Sequence, residues 1–395
     1  MTDYYQIALD KHEEWLGKLT TEVKVPLATK TDLSIAYTPG VAQPCLEISR
    51  DKAAAYKYTW KGNVVAVITD GSAVLGLGNI GASAALPVME GKCVLFKHFA
   101  GVNAVPLCID TQDTEEIIKF VKQVAPTFGG INLEDISSPR CVEIEQRLVA
   151  ELDIPVFHDD QHGTAIVVTA GLINACKLVH KQPEDLTVVV SGTGAAGYSI
   201  IKMLKAWGVR RIYGFDRKGI IKRSDMAAAS SVKQEIAALT NEENESLTMA
   251  EALGKADVFI GVSGPGILTK TMVGGMKPGA IVFAMANPEP EIGYEDALEA
   301  GAAVVGTGRS DYPNQINNVL AFPGLFKGAL AVRASKISEG MKFAAARGLA
   351  SIITDGELSS RYIIPDPFDP RVAQAVSEAV ADQAVAEGLN GIPRA

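Results

Sequence analysis

Residues 156–165, VFHDDQHGTA, set two carboxylates, Asp159 and Asp160, between two histidines, His158 and His162. The stretch lies at the seam between the apolar run IPVFH and a longer one, IVVTAGLINACKLV. Adjacent residues on one strand or helix face different ways, so neighbouring acids serve one site only where a strand ends and the chain turns. IPVFH reads as such a strand, with a helix expected near 164–180. A second acidic pair, Glu134 and Asp135, closes the run GINLED in the same way. In open parallel sheets ligands collect beyond the carboxyl ends of the strands. Acids converging there repel one another unless a cation lies between them, and an all-oxygen set suits Mg²⁺ or Mn²⁺. The same residues have plainer uses in turns and helix caps, and Asp160 is placed to cap the following helix. Zinc is the competing metal, because His158 and His162 lie four apart; that spacing spans an expected loop-to-helix change, and no cysteine is near.

The pattern G-x-G-x-x-G occurs twice. In LTVVVSGTGAAGYSIIKMLKAWG, Gly192, Gly194 and Gly197 sit between a strand and a helix. There the backbone can approach a pyrophosphate, and the free N–H groups of the helix start receive it. The next strand, RRIYGFD, ends in Asp216, about 20 residues on, where an acid accepts hydrogen bonds from ribose hydroxyls. Such an acid favours NAD, whereas the following Arg217 and Lys218 are able to clamp the 2′-phosphate of NADP, so the choice stays open. The other copy, Gly76, Gly78 and Gly81 in GLGNIG, is separated from its strand VVAVIT by DGSAVL, too far for a phosphate cradle. Its glycines are expected to permit close backbone packing near a substrate, with Lys92 downstream as the residue to watch.

Strands and helices must bring these residues together. From residue 64, short runs (VVAVIT, CVLFKHF, VPLCID, GINLED, IPVFH) read as strands, with TEEIIKFVKQVAP and CVEIEQRLVAEL as helices among them. Apolar strands separated by helices predict a parallel sheet covered on both faces. A second series, LTVVVSG, RIYGFD, DVFIGV, AIVFAMA and AAVVGTG, predicts another. The expected fold class is α/β: two open, mostly parallel sheet domains, the second a Rossmann-like dinucleotide-binding domain. Residues 1–158 are expected to form an N-terminal arm and a substrate and metal domain, 159–317 the dinucleotide domain, and 318–395 helices that pack back on the first. The Pro/Gly-punctuated stretch before about residue 50 reads as an arm or lid.

Composition narrows the function. The chain has 395 residues, 47% of them hydrophobic, and a net charge of 37 − 46 = −9 with no basic block, which argues against nucleic acid and anionic membrane as partners. Its five cysteines stand singly, signalling neither a disulfide framework nor a thiolate zinc site. The N-terminus lacks an apolar core of signal-peptide length, and no run is expected to approach the roughly 18 apolar residues of a membrane span. A cytoplasmic protein is expected.

AYTPGV, TDGSAVLGLGNIGASAALPVMEGK, INLEDI, FHDDQHGTA, GTGAAG, ANP and NNVLAFPG, in that order, resemble the malic enzymes, and the length resembles their small-subunit bacterial and archaeal form. The resemblance implies oxidative decarboxylation of L-malate to pyruvate and CO₂ with NAD or NADP, NAD ahead, and with Mg²⁺ or Mn²⁺. It implies Lys92 as the base for the C2 hydroxyl, Tyr37 as the acid that protonates enolpyruvate, and Asp159 as the acid that tunes the base. Glu134, Asp135 and Asp160 resemble the metal ligands. Gly192, Gly194, Ala195, Ala196, Gly197 and Asp216 resemble the dinucleotide site, and Asn287 and Asn318 the contacts to malate or the nicotinamide end. Burial and a nearby cation would both keep Lys92 neutral. A homodimer is implied, in which the arm carrying Tyr37 is able to cross to the partner. One departure stands out: large-subunit members carry an arginine in the segment that reads DGSAVLG here, and this chain has Ala73, leaving metal, asparagines or another subunit to anchor malate. Two other functions stand beside this one: a malolactic enzyme, which reduces bound pyruvate to lactate, and an NAD(P)-sensing protein without turnover.

Overall fold

The computed structural model describes residues 4–74, 76–226 and 229–394; Leu75, inside DGSAVLG, lies outside them. β1 (Val64–Thr69), β2 (Asn103–Cys108), β3 (Gly130–Leu133) and β4 (Val156–His158) form a parallel sheet in the order β2-β1-β3-β4. Every residue of β1 is buried, as a strand covered on both faces requires. β5 (Thr187–Ser191), β6 (Arg211–Asp216), β7 (Gly219–Ile220), β8 (Val258–Gly261), β9 (Ile281–Ala284) and β10 (Val304–Thr307) form the second sheet, in the order β10-β9-β8-β5-β6-β7. In it only the short β7 runs antiparallel. The α/β expectation of two open sheets, the second Rossmann-like, therefore holds. Strand order reverses between β1 and β3 in the first sheet and between β5 and β8 in the second, and these switch points are where open sheets leave a crevice for ligands.

Among the described residues nine helices have ten or more residues: α1 (Tyr4–Trp15), α2 (Ala82–Ala100), α3 (Thr114–Val124), α4 (Arg140–Glu151), α5 (Asp159–Val179), α6 (Ala195–Trp207), α7 (Phe322–Ala331), α8 (Glu339–Ser351) and α9 (Arg371–Ala386). CVLFKHF, expected as a strand, belongs to α2. A short apolar run does not distinguish the two states, and the longer pattern Ala85, Met89, Lys92, Cys93, Phe96 buries one helical face. α5 starts at Asp159 rather than near 164, so both acids lie in its first turn. Contrary to the expectation for membrane spans, α5 is long and apolar enough to cross one; in the fold it is a core helix packed against α6 and α8, with 67% of its most apolar window buried.

The C-terminal helices α7 and α8 each pack on α9, and α7 also packs on α2 of the first domain. Phe96 of α2 meets the rings of Phe322 and Phe326 edge-on at 4.7 and 5.4 Å, and Phe157 of β4 meets Phe326 at 5.9 Å. The N-terminal arm behaves differently. α1 and the short helices Lys30–Ala36 and Ala42–Arg50 bury no residue, and Trp15, Leu27, Ile35 and Tyr37 are all exposed. Lys18 ties the arm to α2, its backbone N–H donating to Glu90 and its ammonium to the Pro87 carbonyl.

Candidate active site

The first switch point gathers the acids and the lysine. Lys92, on α2 and 7% exposed, places Nζ 2.6 Å from Asp159 Oδ2 and 2.9 Å from Glu134 Oε1. The face of Phe322 lies 4.3 Å from the same ammonium. Asn132 donates to Glu134 Oε2 at 2.8 Å. Asp135 takes a left-handed conformation (φ 53°), which lets its N–H turn back to Asp160 Oδ2 at 2.8 Å while its carbonyl accepts the Ala73 N–H at 2.9 Å. Asp159 and Asp160 share a helical turn but not a direction: Asp159 is fully buried against Lys92, and Asp160, its side chain 35% exposed, faces Glu134 and Asp135. A helix start is also the end of the dipole that favours negative charge.

Burial pushes the carboxyls of Glu134 and Asp159 up to about 7 and that of Asp160 up to about 6, in each case against the pull of Lys92. For Lys92 burial acts downward, but Asp159, Glu134 and Asp160 outweigh it and hold the ammonium well above the usual lysine range. The expected neutral amine is therefore not what the protein's own charges produce. A cation that drew off the carboxylates' charge would lower the ammonium's pKa.

Glu134, Asp135 and Asp160 each offer an oxygen within 4.8 Å of the others. Three hard donors converging beside a lone ammonium fit Mg²⁺ or Mn²⁺. No histidine joins this set among the described residues: His162 Nε2 is engaged by Glu145 Oε2 at 2.7 Å, and His158 Nδ1 stays 3.9 Å from Asp160 Oδ2. The zinc reading thus loses its ligands.

The raised carboxyls carry a testable consequence. Between about pH 4 and 7 the folded protein keeps protons that the unfolded chain has released, so these groups contribute less stability as pH rises through that window. A divalent cation displaces those protons and gains affinity as they leave. The rise in Tm produced by Mn²⁺ is therefore expected to be about twofold larger near pH 7.5 than near pH 5.5; a pH-independent rise by thermal melts would remove these carboxylates as ligands.

The second switch point holds the glycine turn. At Gly192 (φ 95°) a Cβ would lie 2.4 Å from the Val262 carbonyl, and at Gly197 it would lie 1.9 Å from that of Gly192. Gly194 caps α6, Ala195 and Ala196 start it, and a Cβ at Gly194 would meet nothing within 4 Å, leaving open space for a phosphate. Asp216 ends β6, its Oδ1 accepting the Lys218 N–H at 2.7 Å and its Oδ2 pairing with Lys233 Nζ at 2.5 Å. Burial acts to raise the Asp216 carboxyl, but these partners outweigh it and hold it down. Nothing in the local pattern singles out Lys233, which comes from a later helix. Lys233→Ala is expected to raise KM for NADP about tenfold and to leave KM for NAD within about twofold; equal changes in parallel assays would deny Lys233 a place beside the 2′ position.

In the second glycine motif a Cβ at Gly78 or Gly81 would meet nothing within 4 Å, so of its own three positions the close packing expected is found at Gly76. A Cβ at Gly71 would lie 2.3 Å from Gly81, and one at Gly76 would lie 3.2 Å from the Asn287 carbonyl, so this loop folds on itself and against the ANP turn. Asn287 is exposed before the cis Pro288. The turn is braced by a residue the sequence reading missed: buried Glu291 accepts the Ala286 N–H at 3.0 Å and the Ser263 N–H at 2.8 Å. Asn318 lies beside Asp159, and its hydrogen bond works against the larger upward push that burial exerts on that carboxyl. An arginine does reach the DGSAVLG segment, but from α4: Arg140 pairs with Asp70 at 2.8 Å and donates to Ser72 Oγ at 3.0 Å. Tyr37 stands apart, 67% exposed on the arm, with no hydrogen bond to Lys92 or the carboxylates among the described residues.

Residues 16–149 match the family description "Malic enzyme, N-terminal domain", and residues 161–386 match "Malic enzyme, NAD binding domain". The bifunctional malic/malolactic enzyme of Bacillus subtilis is 56% identical over 382 residues, 97% of this chain and 93% of that protein. The NAD-dependent malic enzyme of Geobacillus stearothermophilus is 57% identical over 373 residues, 94% of this chain and 78% of that one. The crystal structure of malic enzyme from Pyrococcus horikoshii superposes with a TM-score of 0.95 at 48% identity, covering 98% of this chain and 92% of that one. Since both matched regions follow the order in which the lysine–carboxylate cluster and the glycine turn occur here, the chain belongs to the malic enzyme family.

Proposed function

We propose that the protein oxidatively decarboxylates L-malate to pyruvate and CO₂ with Mg²⁺ or Mn²⁺, using NAD ahead of NADP, and that it is of the small-subunit form. The observation that carries this reading is the buried contact of Lys92 with Asp159 and Glu134 beside a convergent oxygen set. When bound, the dication supplies Lewis acidity toward a 2-hydroxy acid and the nicotinamide accepts the hydride. Glu134, Asp135 and Asp160 would hold the ion. Lys92, once its ammonium proton is lost, takes the proton of the C2 hydroxyl onto Nζ, while Asp159 at 2.6 Å orients it and the Phe322 ring shields it from water. Asn318 and Asn287 hold malate or the nicotinamide end. Tyr37 returns a proton to C3 after CO₂ has left.

The exposed apolar side chains of the arm argue for a homodimer in which Tyr37 serves the partner's site. Five unpaired cysteines fit a cytoplasmic protein, and we take 158/159 and 317/318 as the seams between its units. The test is a steady-state assay with L-malate and Mn²⁺, run with each dinucleotide in parallel. Malate-dependent reduction of dinucleotide with pyruvate release is expected. No turnover with either would overturn the reading in favour of a sensing protein. The name of the Bacillus relative favours a second activity, malolactic conversion, in which pyruvate stays bound and is reduced by the retained NADH. Lactate formed without net NADH would identify it.

A further inference from the structure

The motif that carries Asp159 and Asp160 also holds two histidines that the proposed reaction leaves without a role. Behind the acids lies Glu145 of α4, buried, with both oxygens engaged on one helical turn. Its Oε1 accepts the backbone N–H of His158 at 2.9 Å, and its Oε2 meets His162 Nε2 at 2.7 Å. His158 is the N-cap residue of α5, and His162 lies one turn on along the same face, so the clamped span is the one that carries Asp159 and Asp160. On its other side His162 Nδ1 lies 3.3 Å from Nζ of Lys342, a buried residue of α8 that also donates to Glu339 at 2.6 Å. An ammonium only donates, so Nδ1 accepts and Nε2 carries the hydrogen given to Glu145. His162 thereby links a buried acid to a buried base.

We propose that Glu145, His162 and Lys342 form a positioning chain that lets the C-terminal helix α8 fix the first turn of α5, and with it the placement of Asp159 on Lys92 and of Asp160 among the metal ligands. The chain rests on the metal site of the proposed function. Two grips on one turn set its rotation, and losing either frees the acids to swing while the apolar remainder of α5 stays packed. Partners one step behind metal ligands typically change affinity 10- to 100-fold when removed.

The test is Mn²⁺ binding by electron paramagnetic resonance on full-length wild type, His162→Leu, His162→Gln and Lys342→Met, with thermal melts and NAD binding measured alongside. A glutamine amide keeps a donor nitrogen and an acceptor oxygen, one for each of the two contacts. His162→Leu is expected to weaken Mn²⁺ binding about 10- to 100-fold with NAD binding unchanged, Lys342→Met about 3- to 10-fold, and His162→Gln by less than about threefold. Should His162→Leu not fold, Lys342→Met decides. Unchanged Mn²⁺ affinity in the folded Leu and Met variants overturns the proposal, and so does a His162→Gln protein as weak as the leucine variant, since the imidazole itself would then be what the site needs. A wild type that binds no Mn²⁺ overturns the metal site itself, and the proposed function with it.

Discussion

Lys92→Ala is expected to lower kcat with L-malate by about 10³- to 10⁴-fold, the size of effect that a positioned base supplies. The substitution also removes the counter-ion of two buried acids, Asp159 and Glu134. Breaking a buried pair from one side costs about 3–5 kcal/mol, so the metal-free variant should melt well below wild type. Mn²⁺ should recover much of that loss, because the repulsion from the ammonium is gone while all three oxygen ligands remain. Asp160→Ala inverts the pattern: turnover falls comparably, but Mn²⁺ no longer raises its Tm. Steady-state rates and melts with and without Mn²⁺ separate the two roles. Near-normal turnover in Lys92→Ala would end its assignment as the base.

Mixing two inactive variants, Tyr37→Phe and Lys92→Ala, should restore about a quarter of wild-type activity if the tyrosine works across a two-fold interface. Half of the randomly reassembled dimers are then mixed, and each has one site with a wild-type lysine from one subunit and a wild-type tyrosine from the other. If Tyr37 reaches Lys92 of its own chain, no mixed dimer holds an intact site and the mixture stays as inactive as its parts. The structure makes the first outcome the expectation. Tyr37 is exposed on an arm whose three helices bury nothing, whereas Lys92 lies inside the first domain. The assay needs dissociation and reassociation of the mixture, with each variant treated alone as the control.

The parts of this site legible in the sequence are those set by local rules. Gly192, Gly194 and Gly197 announce themselves because a strand-to-helix turn at that distance admits no side chain at two of the three positions. Glu134 with Asp135 and Asp159 with Asp160 are legible because two acidic pairs end two strands at the edge where a parallel sheet collects its ligands. The helical setting of Lys92 was not, since CVLF satisfies a strand and a helix equally until the burial of Met89 and Phe96 is seen. The start of α5 was misplaced because Asp and Gly lower helix propensity where a helix dipole and tertiary contacts in fact favour the first turn. Lys233, Glu291, Arg140, Glu145 and Lys342 are invisible for a different reason: each acts on a residue distant in sequence, Glu291 on Ser263 for one, and only the folded chain defines the pairing.

α5 runs as one unbroken rod from the acids at its first residue to Val179, lying along α6, whose own start forms the glycine turn. Inserting or deleting a single residue near its start would twist the acids by about 100° relative to everything packed farther along. The rod therefore indexes the acids against the helix that opens on the glycine turn, so a change of length here costs the site its register where one in a surface loop would not.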